Sequence, residues 1–86
     1  MQPGDPRADP VVVDLIELAG LWVAAEDWPA LARTLRRLDD ECSRRFPHDE
    51  VFAERFRQLL ELVERAGTQA VSAEEIRRTY RRASVG

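Results

Sequence analysis

Residues 11–25 read V-V-V-D-L-I-E-L-A-G-L-W-V-A-A, and 12 of these 15 positions are apolar. The three exceptions, Asp14, Glu17 and Gly20, recur every third residue and so share one narrow stripe of a helix. A run of this length with two acids is too short for a membrane span, which takes about 20 apolar residues. A helix with so little polar surface needs cover on most sides, from the rest of a small bundle or from another chain. With Asp14 set at zero and about 100° per residue, Leu21 returns to within about 20° of it and Leu18 to within about 40°. Two leucines therefore share the polar stripe. Helices two and three of a bundle would cover only the opposite side, which leaves Leu18, Leu21 and Ala24 as the expected partner-binding patch.

Capping chemistry sets the boundaries outward from this run. Asp9 before Pro10 is an N-cap followed by proline at the first helical position, predicting a helix over about 10–26. Asp27 caps a second helix, which Pro47 ends, and Asp49 caps a third, with Gly67 expected to close it in the left-handed conformation. Ser72-Ala73-Glu74-Glu75 is a capping box with Val71 poised to staple on Ile76, and the fourth helix is predicted over about 73–83. Short links between consecutive helices reverse the chain each time. The expected fold is therefore all-α: a small antiparallel, up-down helical bundle of four helices, the last one short. Residues 1–8, rich in proline and lacking a basic-then-apolar signal pattern, are expected to be a disordered leader, and 9–84 a single domain.

The faces differ in width. Trp28, Leu31, Leu35, Leu38 and Cys42 form a narrow seam on the second helix. The third carries a broader face of Phe52, Phe56, Leu59, Val63 and Ala66 with Leu60 and Leu62 at its edges. The fourth has only Ala73, Ile76, Tyr80 and Ala83, enough for a lid over the others. At 86 residues, folding hides only about 60% of the unfolded chain's surface, so an intermolecular interface could matter as much as the monomer's own core.

Composition narrows the function. One cysteine and one histidine cannot build a zinc site, the four glycines are isolated and form no phosphate loop, and no cofactor is expected. The lone cysteine fits a reducing cytoplasm. Cys42 with His48 is the one conceivable nucleophile and base, but Cys42 falls on an apolar seam where a thiol has no reason to ionise. Asp14 with Glu17 is the one conceivable acid pair beside an apolar surface, and it reads more simply as the wet edge of a helix. The sequence thus points to a non-enzymatic module that binds protein, either a second copy or a different partner. The rival reading is nucleic-acid binding by the arginine-rich last helix, through Arg77, Arg78, Arg81 and Arg82. Against it stand a net charge of −3 and acids at four-residue spacing, such as Glu74 to Arg78, Asp40 to Arg44 and Glu41 to Arg45.

Overall fold

The structure, a computed structural model, describes residues 4–67 and 70–85. They form a 3-10 turn, Pro6–Ala8, and four helices: α1 (Pro10–Ala25), α2 (Trp28–Arg45), α3 (Glu50–Ala66) and α4 (Ala73–Val85). No strand occurs among the described residues.

Each helix begins where a short side chain meets the free N–H groups of its first turn. Asp9 accepts from Val12 N–H, Asp27 from Ala30 N–H, Asp49 from Phe52 N–H and Ser72 from Glu75 N–H. Such a cap contributes about 1 kcal/mol. Only residues 26 and 27 separate α1 from α2, and the reversal is closed by a Schellman arrangement: Asp27 N–H donates to Trp22 O, and Glu26 N–H to Val23 O. This arrangement needs a left-handed residue, and Glu26 supplies it at φ 55°, where glycine is the usual occupant. The expected left-handed closure at Gly67 does not occur. Gly67 is right-handed at φ −77°, and its N–H turns back to Glu64 O, so α3 ends in a tightened last turn.

The core gathers Val12, Leu15, Ala19 and Val23 of α1 and Leu31, Leu35, Leu38 and Cys42 of α2. Phe52, Phe56, Leu59 and Val63 of α3 and Ile76 and Ala83 of α4 complete it. The apolar seams read from the sequence supply it, although Trp28, Ala66, Ala73 and Tyr80 lie at its margin rather than inside. The main neighbours of α1 are α2 and α4, whereas α3, expected to cover α1 together with α2, sits between α2 and α4. Helix α4 runs antiparallel to α1. Its Arg77 meets Glu26 at the C-terminal end of α1, and Tyr80 one turn later reaches Ile16.

Of the leader expected at 1–8, residues 1–3 lie outside the described residues. Residues 4–8 fold back on the corner between α2 and α3. Pro6 is buried, and Arg7 pairs with Asp49 at 3.1 Å while lying over the Phe52 ring. The His48 ring nitrogen Nε2 lies 3.1 Å from Gly4 O, close enough to donate to it. Asp9, already a cap, also holds Arg45. Burial alone would push the Asp9 carboxyl up, but the Val12 N–H and the Arg45 guanidinium outweigh it and hold Asp9 below its ordinary range.

Candidate functional site

The two sides of α1 are built differently. One side is flanked by Trp22, whose indole N–H donates to Thr34 Oγ1, and Thr34 in turn donates to Ala30 O. That pair satisfies both polar groups at the α1–α2 seam. The other side is flanked by Gly20, against which the Tyr80 phenol lies so closely that a Cβ on Gly20 would sit 2.6 Å from the Tyr80 hydroxyl. That hydroxyl donates to Ile16 O at 2.9 Å. Gly20 therefore belongs to the α4 contact rather than to the solvent stripe where its spacing from Asp14 and Glu17 had placed it. Burial, and then the nearby Glu17 carboxylate, push the Tyr80 phenol up.

Between these flanks α1 faces outward. Leu18 and Leu21 are 37% and 65% exposed, and Ala24 is exposed beside them, as the periodicity predicted. Val11, 43% exposed, and Ala25 lie on the same face. Val11, Leu18 and Ala25 are seven apart, and Leu21 falls between the last two at spacings of three and four, the rhythm of a seam that takes a second helix. Val11 could have been found in the sequence from its seven-residue phase with Leu18. Asp14 interrupts the seam and Glu17 borders it. Both are exposed, and neither lines a cleft described below. From residue 10 to residue 27 the charges are Asp14, Glu17, Glu26 and Asp27, all acidic.

On α4 the four arginines divide. Arg77 bridges Glu26 at 3.3 Å and Glu74 at 3.7 Å, so Glu74 pairs one residue earlier than the expected Arg78. Arg78, Arg81 and Arg82 are exposed. The expected pairs Asp40–Arg44 and Glu41–Arg45 do form, at 3.8 and 3.2 Å. The arginines of α2 and α4 thus sit on helices separated by α3, and several of those on α2 are matched by acids.

Two open clefts flank α3. The larger, about 680 Å³, lies at the α2–α3 corner near Phe46, Pro47 and Val51. The smaller, about 400 Å³, is lined by Arg55, Gln58, Thr79, Arg82 and Ala83. Cys42 borders the larger cleft but is only 1% exposed. Burial, and then the negative charge of Asp39 and its acidic neighbours, push its thiol up to about 11. His48 is engaged with Gly4 through Nε2 and stacks edge-on to Phe46. No group of three or more histidine, cysteine or acidic side chains that could hold a metal ion is found among the described residues, and no described helix is long and apolar enough to cross a membrane. No protein-family model, curated protein or solved structure matches the chain.

Proposed function

We propose that this chain is a non-catalytic protein–protein interaction module that docks through the outer face of α1. The observation that carries this reading is the exposed seam of Val11, Leu18, Leu21 and Ala25, with Ala24 at its edge, on a helix whose opposite face is already core. Exposed leucines occur singly on most proteins, but a row at helix-pairing spacing on the most apolar helix of the chain is an apolar patch of the kind that marks binding sites. The charge around the seam favours a different partner over a second copy. Two α1 helices laid together would bring Asp14 and Glu17 toward the same acids, with no cation on either helix to offset them. A partner helix with an apolar stripe and basic flanks meets both the leucines and the carboxylates. The lone buried thiol, which needs no disulfide partner, supports placement in the cytoplasm.

Mass by light scattering across concentration, combined with capture by wild type and by a Leu18→Glu, Leu21→Glu double variant, tests the reading. The expected result is a monomer that captures a partner salt-sensitively, with capture lost in a variant of unchanged helix content. A wild-type dimer lost in the variant would move the occupant to a second copy. Capture equal in both proteins, or a wild-type monomer that captures nothing, would end the proposal.

A further inference from the structure

The arginines sort by what answers their charge, and Arg55 is the exception. Arg7, Arg36, Arg44, Arg45, Arg57 and Arg77 each have a carboxylate within 4.0 Å. Arg57 takes both Asp39 and Glu54, while the larger cleft beside Arg55 also carries Asp49 and Glu50, neither within ion-pair reach of Arg55. Arg33, Arg37, Arg78, Arg81 and Arg82 lack a carboxylate among the described residues but are exposed, where water serves their N–H groups. Arg55 has neither. It is half-buried, its Nη1 is closed off from solvent, and that nitrogen has no acceptor. A guanidinium N–H hidden from water without an acceptor is costly, and native structures rarely leave one so.

The place of Arg55 suggests what answers it. Its side chain lines both clefts, and in the smaller one it shares the wall with Arg82, Gln58 and Thr79. No acid lines that cleft. On their own helices the positions three and four away from Arg55 are Val51, Phe52, Gln58 and Leu59, and those before Arg82 are Arg78 and Thr79, so neither cation has an acidic helical neighbour. The Thr79 hydroxyl is committed as a donor to Glu75 O, whereas the Gln58 amide has no partner among the described residues and is free to donate. Arg55, Arg82 and Gln58 line an acid-free opening of about 400 Å³, a donor set suited to an anion, and Arg55 Nη1, which is closed off as it stands, must turn into the opening to serve it.

We infer that the cleft between α3 and the C-terminal half of α4 binds a small phosphorylated ligand through Arg55 and Arg82, with Gln58 as a third donor. Charge selects phosphate over carboxylate. A phosphate monoester carries about −1.5 to −2 at neutral pH and matches two guanidiniums, whereas a carboxylate leaves one of them unanswered. The opening has room beyond the phosphoryl group itself, so an organic portion can lie along Ala83 and the stem of Gln58.

The test is titration of the full chain with inorganic phosphate, phenyl phosphate and acetate, each against potassium chloride at matched ionic strength, read by nuclear magnetic resonance of backbone amides and arginine side chains. Saturable shifts confined to residues 55–58 and 79–83 are expected. They should weaken about tenfold or more in Arg55→Gln and in Arg82→Gln, and change less than about twofold in Arg81→Gln. Arg55 has no partner to lose and Arg82 is exposed, so both variants should fold. Tighter binding of phenyl phosphate than of phosphate identifies an esterified ligand, and equal binding identifies free phosphate. Responses no different from chloride, responses to acetate as strong as those to phosphate, or binding untouched by both substitutions would overturn the inference.

Discussion

Helices α1 and α4 pack against each other along the Gly20–Tyr80 contact, yet they are opposites on the outside. Helix α1 is apolar almost all round, with acids as its only charges, and it turns Leu18 and Leu21 to solvent. Helix α4 is polar almost all round, buries only Ile76 and Ala83, and turns arginines to solvent. The inward faces of both are accounted for by one shared core. What differs is the surplus: α1 has more apolar surface than its bundle can use, and α4 more positive charge than its acids neutralise. In a domain whose total stability is on the order of 5 kcal/mol, neither surplus is explained by folding, and each is a place to look for a partner.

The largest effect expected separates the inside of α1's neighbourhood from its outside. Leu35, 1% exposed, packs in the core, and Leu35→Glu would bury an unpaired carboxylate at a cost of several kcal/mol, comparable with the whole stability. Far-ultraviolet circular dichroism should show it unfolded at room temperature. Leu18→Glu with Leu21→Glu should keep the wild-type spectrum and melt within a few degrees of it. If the double variant unfolds like Leu35→Glu, the seam is structural and the contrast between the two faces of α1 is lost.

A smaller effect is expected where the two helices touch. Gly20→Ala gains about 1 kcal/mol of helix propensity, but its Cβ would fall 2.6 Å from the Tyr80 hydroxyl and force the phenol away from Ile16 O. The displaced ring and the broken hydrogen bond together outweigh the gain, so a net loss of about 1–2 kcal/mol is expected in urea denaturation. Tyr80→Phe alone should lose about 1 kcal/mol. In the Tyr80→Phe background the nearest obstacle is gone, and Gly20→Ala should cost less than it does in wild type. Additive losses would mean that Tyr80 yields freely and that Gly20 is not there for its sake.

These contacts also mark where reading the sequence succeeded and where it stopped. The caps at Asp9, Asp27, Asp49 and Ser72 were legible because the acceptor and the N–H it satisfies are three residues apart. Leu18 and Leu21 were legible because helical periodicity is equally local. The meaning of Gly20 was not, since the side chain that requires it is 60 positions later. The turn at Pro6–Ala8 has a local cap in Asp5, which accepts from Arg7 N–H, but the surface it docks on, Asp49, Phe52 and His48, is far along the chain. That docking surface has no signature within one turn of the chain.

Thiol reactivity gives a prediction with a defined pH window. The Cys42 thiol is pushed up to about 11 in the folded state, from an unfolded value near 9.0, so the native protein favours the protonated form. Its contribution to stability is fully present below about pH 9 and is lost as pH rises toward 11. Alkylation at neutral pH should accordingly be much slower in the native protein than in urea. Rapid native labelling would mean that the α2 seam opens at the cleft beside Cys42.

The smallest effect concerns the corner where α1 ends and α4 begins. Glu26 holds a left-handed backbone that suits glycine, and its carboxylate accepts from Arg77 at 3.3 Å. Glu26→Gly removes a steric penalty of about 1 kcal/mol and forfeits an exposed ion pair worth a few tenths, while the added freedom of glycine in the unfolded chain takes back part of the gain. The balance is a stabilisation of about 0.5 kcal/mol, or a rise in melting temperature of about 2–4 °C for a domain of this size. Glu26→Gln keeps the backbone strain and loses only the charge, so it should lower the melting temperature slightly, and that small loss should vanish in high salt. If instead Glu26→Gly destabilises the protein by more than Glu26→Gln, the Arg77 pair outweighs the backbone strain. In that case α4 is fastened to α1 by charge at this corner as well as by the fit of Tyr80 against Gly20.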